Sequence, residues 1–184
     1  MSSSLNNKAV FVSRTGIQFL VLLVFIVVSI LAAAQTTTKP EWLPELLEKE
    51  SITIVVTDSG LGGLSVVADA AEKFRQHPVF KEVKLVFFNA LFTGDAGYNG
   101  LQSRDEKLKV FSSALQSMQD RFAPDIILVA CNTLSVLVPD TKFAKSSTTP
   151  VVGIVENGVE QIADQLQDKP SARNIIFATQ TTVD

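Results

Sequence analysis

The stretch Ile52-Thr53-Ile54-Val55-Val56-Thr57-Asp58-Ser59-Gly60-Leu61-Gly62-Gly63-Leu64 decides the fold. Ile52 to Thr57 is β-branched throughout and mostly apolar, which suits a strand buried on both faces rather than one with a wet side. The glycine-rich turn stops that strand, and from Leu64 to Arg75 the apolar residues recur at helical spacing, so the segment reads as strand, turn, helix. The same alternation continues outward. Further strands are predicted at Val83–Phe88, Ile126–Ala130 and Val151–Val155, with a fifth candidate at Asn174–Ala178, and further helices at Asp105–Phe122 and Val159–Gln167. This alternation predicts an α/β fold, a parallel sheet with helices on both faces. No internal repeat at solenoid periods competes with it.

With 184 residues the chain can build one full core and not comfortably two. Hydrophobic residues at 46% and charged residues at 19% place it among globular chains, and a net charge of -3 without a basic run leaves no electrostatic footprint for nucleic acid. The first residues differ from the rest. Lys8 and Arg14 precede an apolar run from Phe19 to Leu31, and Ala32-Ala33-Ala34 offers a small-residue cleavage site, so residues 1–34 read as an export signal. Because Ile17 to Ala34 approaches the ~20 apolar residues that span a bilayer, an uncleaved anchor meeting the membrane through residues 17–34 is the other reading. Residues 35–50, with Thr36-Thr37-Thr38, Pro40 and Pro44, read as a linker, and folding is expected to begin at Ser51.

In sheets of this kind function gathers where the carboxyl ends of strands meet the following loops. The plain reading of Asp58-Ser59-Gly60-Leu61-Gly62-Gly63 is a tight turn that needs glycine. A phosphate loop is excluded by the missing lysine and the wrong glycine spacing, and Asp58 would repel a phosphate where it suits an ammonium. The third strand runs into Ala130-Cys131-Asn132-Thr133, which contains the only cysteine. A lone cysteine after an apolar strand is most often a small buried hydrophobe. Here a helix is expected to follow, and unpaired N–H groups at a helix start favour a thiolate that serves as base or nucleophile. Asn132 and Thr133 add donors of the kind that hold a carboxylate. His77, the only histidine, precedes Pro78 in a polar stretch and reads as a surface residue without a role.

Together these motifs resemble the aspartate/glutamate racemase superfamily, and glutamate racemase in particular. The resemblance runs from Ile54 to Val183. It is carried by Asp58-Ser59-Gly60-Leu61-Gly62-Gly63-Leu64, Tyr98-Asn99-Gly100 with Ser103 and Glu106, Ala130-Cys131-Asn132-Thr133, Val152-Gly153-Ile154-Val155-Glu156, and Ala178-Thr179-Gln180-Thr181-Thr182-Val183. It implies the first lobe of a pseudo-symmetric two-domain racemase fold and a cofactor-independent isomerase of glutamate or aspartate, in which two cysteines flank the substrate Cα. Cys131 matches the first of the two. By the same match Asp58 and Ser59 meet the substrate ammonium and assist the thiol, and Tyr98, Asn132, Thr133 and Thr182 hold the carboxylates. Asn99 stands where the family pattern has Gly, and Asn157 where it has Pro.

The family's second cysteine lies in a Cys-Thr-His type motif on the second domain, and the 184 residues contain no such motif. The expected organisation is therefore a leader or anchor at 1–34, a linker at 35–50, a first lobe at 51–155, and the start of a second lobe at 156–184, as a fragment lacking the second catalytic thiol. Glutamate racemases supply D-glutamate for peptidoglycan precursors and the family is ordinarily cytoplasmic, whereas the leader predicts a periplasmic or membrane-anchored protein. Two other functions stay open: a single-thiol decarboxylase or isomerase of the same superfamily, and a non-catalytic lobe that binds an amino acid. A homodimer is left open as well.

Overall fold

The computed structural model describes residues 40–90, 97–167, 171, 173 and 175–183, so the expected leader lies outside the described residues. Four strands form one sheet: β1 (Ser51–Asp58), β2 (Glu82–Asn89), β3 (Ile126–Val129) and β4 (Val151–Gly153). Their order is β2-β1-β3-β4 and every pairing is parallel, which places all the carboxyl ends along one edge. The helices are α1 (Trp42–Leu47), α2 (Gly63–Gln76), α3 (Arg104–Phe122), α4 (Asn132–Ser135), α5 (Lys142–Ser146), α6 (Ile154–Leu166) and α7 (Gln180–Val183). Single 3-10 turns lie at Gly97–Gly100 and Val138–Asp140.

Strand periodicity sorts the core into two layers. Ile52, Ile54 and Val56 point to one face, where Trp42 and Leu46 of α1 and Val67 and Phe74 of α2 cover them. Val55, Ile127 and Val129 point to the other, against Phe111, Leu115 and Met118 of α3, Leu134 of α4 and Phe143 of α5. The α3 residues recur at helical spacing and all three are fully buried, so this one helix supplies much of that layer. Its start is fixed by two bonds. The Glu106 N–H donates to Ser103 Oγ at 3.1 Å, and the Gln102 N–H donates to Glu106 Oε2 at 2.9 Å. The helix ends at Ala123, which takes a left-handed φ of 42°.

The predicted helices and strands fall where expected in the central part of the chain, with three differences. Within the stretch read as a linker, α1 forms because Trp42 and Leu46 find apolar partners on the sheet. The fourth strand ends at Gly153 rather than Val155, and α6 begins at Ile154, so the expected lobe boundary at 155/156 falls inside a helix. The fifth strand candidate does not form among the described residues. Ile175, Ile176 and Phe177 stand 79%, 68% and 92% exposed and join no strand.

Candidate active site

β1 and β3 pair directly, with Thr57 opposite Val129, so the loops carrying Asp58-Ser59 and Cys131 emerge side by side. The Ala130 N–H donates to the Thr57 carbonyl at 2.8 Å and extends the ladder to the last residue before the thiol. Cys131 is half-buried, in an extended conformation, and its Sγ lies 3.2 Å from Ser59 Oγ. Two residues 72 positions apart are thereby brought into contact at the sheet edge that sequence reasoning singled out. The helix after Cys131 does form, but α4 is only four residues long. Its dipole is correspondingly small, and the hydroxyl of Ser59 is the nearer influence on the sulfur.

Asp58 is buried, and both of its carboxylate oxygens are already engaged. Oδ1 accepts from the Gly60 N–H at 2.9 Å and Oδ2 from the Gly63 N–H at 2.6 Å. The acid therefore closes its own turn, and each oxygen keeps one further acceptor position for a ligand. Gly63 is needed for this closure. A Cβ there would lie 2.9 Å from Phe87 Cε2 and 3.0 Å from Asp58 Cβ, inside normal contact.

A cluster of hydroxyls begins two residues after the thiol. Thr133, on α4 two residues after Cys131, has its Oγ1 3.0 Å from Thr179 Oγ1 and 3.3 Å from Thr182 Oγ1, and Thr179 and Thr182 are 2.9 Å apart. Lys107 of α3 donates to Thr181 Oγ1 at 2.7 Å, which holds the threonine turn against the body of the protein. Thr133 and Thr182 were expected at the site, whereas Thr179 was not singled out. The signal for it was present, since threonines three apart on a turn share one face. Asn132 is exposed, and its side-chain amide has no partner among the described residues.

Tyr98 sits in the turn Gly97–Gly100, buried and edge-on to Phe111 with ring centroids 6.4 Å apart. Its hydroxyl has no hydrogen-bond partner among the described residues. Burial, and then the negative charge that Cys131 carries as thiolate, push the phenol above its ordinary value of 10.0, so it stays a neutral donor. His77 is exposed, at the end of α2. No group of three or more metal-ligating side chains occurs among the described residues.

No protein-family model matches the chain. It is 32% identical over 132 residues to the glutamate racemase of Campylobacter jejuni subsp. jejuni, a match covering 71% of this chain and 47% of that protein. It is 33% identical over 135 residues to the glutamate racemase of Campylobacter curvus, covering 71% and 46%. To that of Aquifex pyrophilus it is 29% identical over 116 residues, covering 63% and 41%. The crystal structure of glutamate racemase from Campylobacter jejuni subsp. jejuni superposes with a TM-score of 0.54 at 30% identity, over 72% of this chain and 48% of that one. The chain spans about half the length of the curated relatives it matches. Over that span it resembles glutamate racemases in both sequence and fold.

Proposed function

We propose that this chain carries one thiol half of a cofactor-independent racemase acting on glutamate or aspartate, with Cys131 as the base at the substrate Cα. The observation that carries the reading is the 3.2 Å contact between Ser59 Oγ and Cys131 Sγ across neighbouring strand ends. A hydroxyl at that distance can donate to a thiolate, hold it in place, and lose little when the sulfur takes up a proton. In the proposed step the Cys131 thiolate removes the Cα proton, the S–H bond forms, and the electron pair of the broken C–H bond moves toward the α-carboxylate. That carboxylate then needs strong donors. Thr133, two residues after the thiol, forms a hydroxyl cluster with Thr179 and Thr182, and among the described residues the Asn132 amide and the Tyr98 phenol have no partner. Asp58 offers its remaining acceptor positions to the ammonium.

Inversion needs a proton from the opposite face, and the family's route draws it from a second cysteine. The 184 residues hold one. On this reading the four strands, up to Gly153, belong to the first lobe, the residues from α6 onward lead into the second, and the described part alone can exchange a proton but not invert the centre.

A second reading, a single-thiol decarboxylase or isomerase of small diacids, gains from the engagement of both Asp58 oxygens by Gly60 and Gly63, which leaves the ammonium contact weaker than the sequence suggested. Protection of Cys131 against alkylation separates the two. Glutamate is expected to slow iodoacetamide labelling of the only thiol several-fold more than glutarate, which has both carboxylates and no amino group. Equal protection by both favours the diacid reading, and protection by neither removes the site.

A further inference from the structure

Ser135 ends α4, is buried, and touches the thiol residue through the backbone. Its N–H donates to the Cys131 carbonyl at 2.8 Å, and its Oγ donates to the same carbonyl at 2.7 Å. The Val129 carbonyl is a more distant acceptor, at 3.3 Å. A hydroxyl has one proton to give, and the nearer oxygen takes it, so a single residue occupies both lone pairs of the Cys131 carbonyl. The same Oγ accepts from the Ile154 N–H at 3.0 Å. That N–H opens α6, whose preceding residue, Gly153, supplies no side-chain cap. Ser135 caps α6 in its place, from an element 19 residues away.

Gly153 makes room for this arrangement. A Cβ at 153 would fall 2.7 Å from Ser135 Cβ and 2.8 Å from Ser135 Oγ, so the end of β4 can approach α4 only without a side chain. The chain thus spends a glycine and a buried hydroxyl on the peptide of the one residue that carries the thiol. Cys131 itself lies in extended conformation at the N-cap of α4, one residue past the end of the ladder, and its carbonyl accepts the first bond of that four-residue helix from the Ser135 N–H. Without that anchor a change in the Cys131 φ would carry Sγ away from Ser59.

We propose that Ser135 is a positioning residue for Cys131: by clamping the Cys131 carbonyl and capping α6 it holds Sγ at hydrogen-bond distance from Ser59 and ties that geometry to the start of α6. The inference rests on the reading of Cys131 as the working thiol. It makes no use of the substrate's identity.

The test is a double-mutant cycle on the alkylation rate of Cys131, followed across pH with iodoacetamide on the full chain. Ser59→Ala is expected to change the rate about tenfold in the parent, the size of one hydrogen bond to a charged atom. In a Ser135→Ala background the same change is expected to have less than about a twofold effect, because residues acting through one geometry are not additive. Gly153→Ala serves as a second background, since it displaces Ser135 while leaving its hydroxyl in the chain, and it decides the matter alone if Ser135→Ala does not fold by circular dichroism. A purely structural role for Ser135 would lower the melting temperature and leave the Ser59 effect at full size. That result overturns the proposal, as does a parent in which Ser59→Ala has no effect. The outcome is independent of racemase chemistry: coupling without any amino-acid protection of Cys131 keeps the positioning role and removes the racemase reading.

Discussion

At the scale of single residues, Tyr98 is the most informative side chain outside the thiol pair. Its hydroxyl is buried without a partner among the described residues, an arrangement that costs stability on the order of 1–3 kcal/mol. Tyr98→Phe is therefore expected to leave the melting temperature unchanged or to raise it near neutral pH, while weakening glutamate protection of Cys131. The pH dependence has a definite sign. The folded state holds the phenol proton more tightly than the unfolded state does, so this residue's contribution is full below the ordinary value of 10.0 and is lost as the pH rises past it. Thermal melts of parent and variant on either side of that value check both points. The parent should lose stability in alkali more steeply than Tyr98→Phe. A variant less stable than the parent by more than about 1 kcal/mol at neutral pH would mean that the hydroxyl has a partner.

At the scale of elements, the amino-terminal ends of the strands are stitched by Asp125, which precedes β3. It accepts from the Thr53 N–H of β1 at 2.7 Å and pairs with Lys49, which follows α1. Burial works to raise its carboxyl, but the Lys49 ammonium and the Thr53 N–H outweigh burial and hold it below the ordinary value of 3.8. A depressed carboxylate contributes stability that is present above its unfolded value and is lost as the pH falls through the folded one. Asp125→Asn should accordingly lower the melting temperature at neutral pH, and its deficit should shrink in acid below 3.8, which melts across that range would show. A deficit constant with pH would assign Asp125 a packing role only. The elements legible in the sequence were those long enough to show a period: β1, β2 and β3, and the helices α2 and α3. The helices α1 and α5 are too short for periodicity to show, and local or tertiary contacts decide them, whereas α4 was expected from the strand end before it. Thr141 Oγ1 accepts from the Ala144 N–H to start α5, and Trp42 packs on the sheet to hold α1. The end of β4 was misplaced because it is set by Ser135, whose role no local pattern announces. The site followed the same division. That Asp58, Ser59 and Cys131 would lie at one edge could be read from strand ends in the sequence, whereas the turning-in of the Asp58 carboxylate and the contact of Thr179 with Thr133 depend on partners that only the folded chain supplies.

At the scale of the whole molecule, the described residues form one sheet with a thiol at its carboxyl edge and an apolar surface beside it. Helix α6 has no buried residue, and Val159 at 57% and Ile162 at 40% leave apolar side chains open to solvent. Among the described residues no helix is long and apolar enough to cross a membrane. Residues 1–34 lie outside them, and the export reading of that segment is a proposal with its own test: a tagged full-length chain should leave the cytoplasm and a chain without residues 1–34 should stay. An identical location for both would end that reading. The central claim concerns the thiol and is tested most directly by isotope exchange. The purified chain is incubated with each enantiomer of glutamate in D₂O, and Cα deuteration and optical rotation are followed separately. We expect slow Cα deuteration of one enantiomer with its configuration retained, no racemization, and loss of exchange in Cys131→Ala, because one thiol can remove and return a proton on one face only. Racemization by the parent, or exchange that survives Cys131→Ala, would contradict the account.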